Sequence, residues 1–181
     1  MYIQPTKIER LDYVRAEWLR LSTSAYLASF SYDLEILEYD VTGMETLKKR
    51  LTLQVTSEDY VYLLIGMVQA IMACSRSGYK SSDLIFDPAK VYVDDEGTPV
   101  FLFVPLNGVV LGVENSPLTF LRALGDAAHV RFKVADDIVH AEHLADFVRR
   151  EGVWSQNNFL NFMKQEFGIA FDGEGRPVAP A

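Results

Sequence analysis

The run "TSEDYVYLLIGMVQAIMACSRSG", residues 56–78, constrains this chain more than any other stretch. It predicts one helix with both ends marked. Thr56 and Asp59 have the spacing of a capping box, in which two side chains take up two orphan backbone N–H groups. Glu58 and Asp59 suit the positive end of the helix dipole, and Arg76 suits the negative end. Gly78 supplies the left-handed residue that commonly stops a helix. Between Tyr60 and Cys74 nearly every side is apolar, and such a helix must be covered by other elements. The apolar run spans 15 residues and is interrupted by Gly66 and Gln69. A membrane span needs roughly 20. The run therefore predicts the centre of a folded domain.

Other elements are predicted around it. Residues 24–30 and 34–41 read as two antiparallel strands turning at Ser31-Tyr32-Asp33. Met44, Leu47 and Leu51 give a short amphipathic helix that Thr42 can cap. Residues 91–93 and 100–104 flank the turn "DDEG", with Gly97 free to take positive φ and Pro105 ending the second strand. Ser116 and Pro117 open a helix carrying Leu118, Leu121 and Leu124. A helix over 138–150 stops near Gly152, and a last helix begins at Ser155, carries Phe159, Phe162, Met163 and Phe167, and stops at Gly168. The predicted class is α+β: a small N-terminal sheet, a central buried helix with a β-hairpin, and a helical C-terminal half. Residues 1–171 read as one domain and 172–181 as a Gly- and Pro-rich linker.

Composition narrows the function. The chain has 181 residues, 49% hydrophobic and 23% charged, enough for one domain with a real core. Its formal net charge is −8, so phosphate backbones and anionic membrane surfaces repel it. Nucleic acid and lipid are accordingly excluded as first partners. The basic runs 48–50 and 149–150 read as solvated helix faces. Cys74 is the one cysteine and has no disulfide partner within the chain. The first residues show no apolar core of signal-peptide type. A cytoplasmic location is expected, with any membrane association arising outside this chain.

Within residues 34–106, "LEYDVTGMETLKKRL" precedes the long helix, and "SSDL", "DPAKVYVDDEG" and a hairpin follow it. This order resembles a protein kinase from its hinge through its catalytic loop. The resemblance implies a minimal, degenerate kinase-like fold, because the charged groups needed for phosphoryl transfer are missing. Ser81 matches the catalytic-loop histidine. Asp83 matches the base, with two extra residues before Pro88; without that insertion Ile85 takes the place. Lys90 matches the magnesium-binding asparagine. Phe103, in Phe103-Val104-Pro105, matches the metal-binding aspartate of the "DFG" motif. The first glycine is Gly43 and only Lys7 precedes Lys48 among lysines, so no phosphate loop or phosphate lysine has a place. The pattern is similar to a domain found N-terminal to forkhead-associated domains in Gram-positive bacteria. It is also similar to the cytosolic pseudokinase domain of a type VII secretion membrane component. The "VFLFVPL" and "SPLTFLRAL" runs fit the first better. The resemblance implies a scaffold with a protein partner, no nucleotide and no cofactor, and it admits a homo-oligomer.

Other residues admit both a functional and a plainer role. Asp83, Asp87 and Asp94 make a rearranged enzyme site conceivable, but each also fits a turn. A structural subunit of a secretion or phage assembly is a further alternative. His140, Glu142 and His143, with His129, lack the His-Glu-x-x-His spacing of a helical metal site. The clustered acids of "DDEG" and "DGEG" lack the pattern of a calcium loop. Cys74 reads as a packed hydrophobe. Phe159, Phe162, Met163 and Trp154 are candidate partner contacts, and Trp18 is a further candidate anchor; core packing is the plainer reading of the phenylalanine stripe.

Overall fold

A computed structural model describes residues 1–3, 11–33, 36–107 and 115–178. Strand β1 (Tyr2–Ile3) leads to helix α1 (Tyr13–Leu21), then to β2 (Ser29–Tyr32) and β3 (Leu37–Asp40). The order β1-β3-β2 makes an antiparallel sheet, with Phe30 facing Tyr39 and Tyr32 facing Leu37. The expected hairpin is present, but its first strand starts at Ser29 rather than residue 24. Its turn lies later than Ser31-Tyr32-Asp33, because the Asp33 N–H closes on the Ile36 carbonyl at 3.1 Å and the Asp33 carboxylate caps Ile36. Next come β4 (Glu45–Thr46) and the short helix α2 (Leu47–Arg50). Thr46, not Thr42, caps α2, accepting from the Lys49 N–H at 3.3 Å. Thr42 instead donates its N–H to Asp40.

Strand β5 (Gln54–Val55) precedes the central helix α3 (Ser57–Arg76), whose Thr56–Asp59 capping box forms as expected. Tyr60, Leu64, Met67, Ala70 and Cys74 are fully buried, so α3 runs through the core. Tyr62 is half exposed and marks its one open side in that stretch. Gly66 is needed for packing: a Cβ there would overlap the Pro99 ring. The Tyr60 hydroxyl donates to the Leu124 carbonyl at 2.9 Å, so its one polar atom is satisfied in the core.

The hairpin β6 (Tyr92–Val93) and β7 (Pro99–Val100) joins β4 in a second antiparallel sheet. Gly97 takes φ +85° in its turn. Beyond Val100 the chain makes isolated bridges, Leu27 with Phe101 and Leu84 with Phe103, rather than the longer strand expected. Helix α4 (Pro117–Leu124), strand β8 (Arg131–Phe132), helix α5 (Ile138–Glu151) and helix α6 (Gln156–Phe167) follow. β8 pairs in parallel with β5.

Residues 172–178 of the segment expected as a linker are described, and two of them are paired; 179–181 lie outside the described residues. Strands β9 (Ala170–Phe171) and β10 (Pro177–Val178) form an antiparallel hairpin, so the boundary at 171 falls inside an element. The physical reason is local. Asp172 accepts backbone N–H groups from Glu174 and Arg176 and pairs with the Arg176 guanidinium at 2.8 Å. Gln69 of α3 donates to the Gly175 carbonyl, and Gly175 sits so close to Met72 that a Cβ would overlap it.

Candidate functional site

The loop that follows α3 carries the residues the kinase resemblance singles out. Ser81–Asp83 form a short 3-10 turn. Leu84 bridges to Phe103, and the Val104 N–H donates to the Asp83 carbonyl at 2.8 Å. Asp83 and Phe103 are thus brought side by side from 20 residues apart. Helix α1, which the sequence reading did not anticipate, lies over them. Asp12 caps α1 by accepting the Arg15 N–H, and its own N–H donates to the Pro105 carbonyl at 2.9 Å.

From that helix Arg15 reaches Asp83, with Nη1 2.9 Å from Oδ2. Its Nε meets Asp12 at 3.1 Å, and Nη2 donates to the Leu106 carbonyl at 2.9 Å. A planar guanidinium spreads its donors over three nitrogens and so serves two carboxylates and a carbonyl at separate points, where a lysine would have to reach all three from one atom. The side chains of Arg15 and Asp83 are 14% and 22% exposed. The pair is therefore shielded from solvent and binds α1 to the loop.

One turn further along α1, Trp18 packs edge-on against Phe103 at 5.0 Å and Tyr79 at 4.8 Å. Phe103 is fully buried, and its carbonyl accepts the buried Tyr39 hydroxyl at 2.6 Å. Burial pushes the Tyr39 phenol far up, so it stays a donor. The position matched to a metal-binding aspartate is thus the floor of an aromatic cluster that offers no charge to an ion.

The remaining candidates are dispersed. Asp87 accepts the Ala89 N–H at 2.9 Å, and Asp94 accepts from Glu96 and Thr98 at 3.0 and 2.8 Å. Each acid caps its own turn. Ser81 is half-buried, and Lys90 is exposed with its N–H on the Asp87 carbonyl. Cys74 is fully buried and its thiol is pushed up to about 12, first by burial and then by the charge of Asp83. Burial of this kind keeps a thiol inert.

The C-terminal candidates also change meaning. Phe159, Phe162 and Met163 are 0%, 8% and 0% exposed. They face the core: Phe147 of α5 lies 5.8 Å from Phe159 and 4.9 Å from Phe162. Trp154 packs on Phe159 at 5.5 Å and is half-buried. Phe159, Phe162 and Met163 close the α5–α6 seam, with Trp154 at its edge. Along that seam His140 and His143 turn to Glu166, not Glu142. Their Nδ1 atoms lie 2.8 and 2.9 Å from Glu166 Oε1. Burial pushes the Glu166 carboxyl up, but the two imidazole hydrogen bonds outweigh it and hold it below its ordinary 4.5. His129 pairs with Asp126 instead. Among the described residues no group of three His, Cys, Asp or Glu side chains is spaced to hold a metal ion. Among them too, no helix is long and apolar enough to cross a membrane.

No protein-family profile matches the chain. No curated protein matches it. Among solved structures, the chain is similar to the Staphylococcus aureus ESSB cytoplasmic fragment, with a TM-score of 0.48 and 11% identity over 91% of this chain and 98% of that one.

Proposed function

We propose that this chain is a non-catalytic protein-interaction module of pseudokinase type, working in bacterial signalling or type VII secretion and not binding ATP. The observation that carries the proposal is the seal made by α1. Asp83, matched to a catalytic base, has its carboxylate engaged by Arg15, and Phe103, matched to the magnesium-binding acid, is buried under Trp18. Phosphoryl transfer relies on positioned charge around the nucleotide and its metal. Here the one acid in place is neutralised within the protein.

The test is a thermal melt of the whole chain with and without millimolar ATP and magnesium. A ligand at 100 times its Kd adds about 2.7 kcal/mol of stability. That corresponds to a midpoint shift of roughly 5–10 °C in a chain of this length. No shift is expected for the wild type or for Asp83→Ala. A magnesium-dependent shift lost in Asp83→Ala would overturn the proposal in favour of an atypical nucleotide-binding enzyme.

A further inference from the structure

Two isolated bridges to one stretch of chain bracket α1: Leu11 with Leu106 before it, and Leu27 with Phe101 after it. Between them α1 lies over Asp83 and Phe103 and is attached there by few groups. Of its nine residues only Ala16 and Leu19 are buried, whereas half of the twenty residues of α3 are. Tyr13, Val14 and Leu21 are 53%, 74% and 66% exposed, so the outer side of α1 adds little burial. Its inner side is fastened by the Arg15 guanidinium, on Asp83 and the Leu106 carbonyl, and by the Trp18 ring, on Tyr79 and Phe103. The Glu17 carboxylate, which accepts the Tyr32 hydroxyl at 2.9 Å, ties α1 to β2.

We infer that α1 is a strap: between its two flanking bridges it lifts as a unit from the folded chain and bares Asp83, Tyr79 and Phe103 together. The cost of opening a segment grows with the apolar burial it gives up. Helix α3 cannot leave without dismantling the core, because its buried residues run through it. Helix α1 gives up Ala16, Leu19 and the inner side of Trp18. Lifting also returns the Arg15 and Asp83 charges to water, and the hydration they regain offsets part of the lost pairing. The open form therefore lies well below global unfolding in free energy, as a minor state of the resting chain. Segments that gate a surface come from this low-stability end of a fold. Here the gated surface is the loop that follows α3, and Arg15 sets how often it opens. The inference stands apart from the nucleotide reading, which the melt above decides.

The experiment is native-state amide hydrogen exchange on the full chain, followed by NMR in urea below the unfolding midpoint. Corrected for intrinsic rates, amides 17–21 of α1 should exchange about tenfold or more faster than amides 64–74 of α3. The α1 rates should depend little on urea, because lifting exposes little surface, while the α3 rates should climb steeply. Arg15→Met removes contacts that both openings break, so it should speed both sets. Gly66→Ala disturbs the α3–β7 contact, which only global unfolding breaks. It should speed the α3 amides by about fivefold or more and leave the α1 amides unchanged. Amides of α1 that follow those of α3 in urea and in Gly66→Ala would show that the helix leaves only on global unfolding, and would overturn the inference. So would α1 rates indifferent to Arg15→Met, which mark fraying rather than release of a strap. Should Gly66→Ala not fold, the urea dependence of the wild type decides alone.

Discussion

Removing Arg15 is the perturbation with the most to say about α1. Arg15→Met keeps much of the apolar stem and deletes the guanidinium. Asp83 is then left with no partner at 22% exposure, Asp12 loses a bond at 3.1 Å, and the Leu106 carbonyl loses one at 2.9 Å. Breaking a fully buried pair costs about 3–5 kcal/mol, and exposed pairs are worth about 0–1. Intermediate exposure places this one at about 2–3 kcal/mol, most of it the penalty of an uncompensated Asp83. Urea unfolding followed by tryptophan fluorescence reads the change directly, because Trp18 sits on the same helix. The midpoint should fall with the slope unchanged, which marks a change in stability rather than in the surface exposed. Arg15→Met/Asp83→Asn should recover part of the loss, and the resulting coupling energy should exceed about 0.5 kcal/mol. Arg20→Met, which breaks the exposed pair with Glu17, should leave the midpoint in place. Additivity of the Arg15 and Asp83 changes, or an Arg15 effect no larger than that of Arg20, would refute the claim that this pair fastens α1 to the loop.

Further outcomes follow from the same geometry. Tyr39→Phe should cost about 1–3 kcal/mol in urea unfolding, because it leaves the buried Phe103 carbonyl without its donor. Gly66→Ala should destabilise by about 1–3 kcal/mol, since the new methyl overlaps Pro99 in a packed core; a neutral result would contradict the α3–β7 contact. Cys74 should react with a disulfide reagent at pH 8 only as fast as the protein opens, because its thiol is buried and pushed up to about 12; rapid native-state labelling would count against this. Glu166 has a folded value below its unfolded one, so its stabilisation is present above about pH 4.5 and is lost as pH falls through the folded value. The stability gap between wild type and Glu166→Gln should therefore close in acid, and a gap constant down to pH 3 would contradict the cluster.

The elements legible in the sequence were those whose signals are local. The α3 capping box, the Ser155 cap and the glycine stop at Gly168 lie within a few residues of the ends they mark, and all form. The failures share a different cause. Helix α1 buries only Ala16 and Leu19 fully, so its apolar periodicity is faint; the Asp12 cap was the signal that could have found it. The strand pair β5–β8 joins residues 77 apart, and no pattern in either dipeptide announces the other. In the tail, Gly and Pro content alone did not show that "DGEG" is the turn that Asp172 builds between β9 and β10.

The site divides in the same way. Asp83 and Phe103 could be singled out in the sequence only through the kinase resemblance. Arg15, the residue that decides what Asp83 does, was not, because it stands 68 positions away on an unanticipated helix. The aromatic stripe of α6 left two readings open, core and partner contact, for a related reason: sequence shows that Phe159 and Phe162 share a face, and only packing shows that Phe147 covers it.

A titration of the isotopically labelled chain with ATP and magnesium, followed by backbone amide chemical shifts, tests the central claim most directly. No saturable shifts are predicted at residues 79–106 or along α1 of the wild-type chain up to millimolar nucleotide. Saturable, magnesium-dependent shifts at Asp83, Phe103 and their neighbours would mean that the loop still holds a nucleotide and that α1 does not seal it.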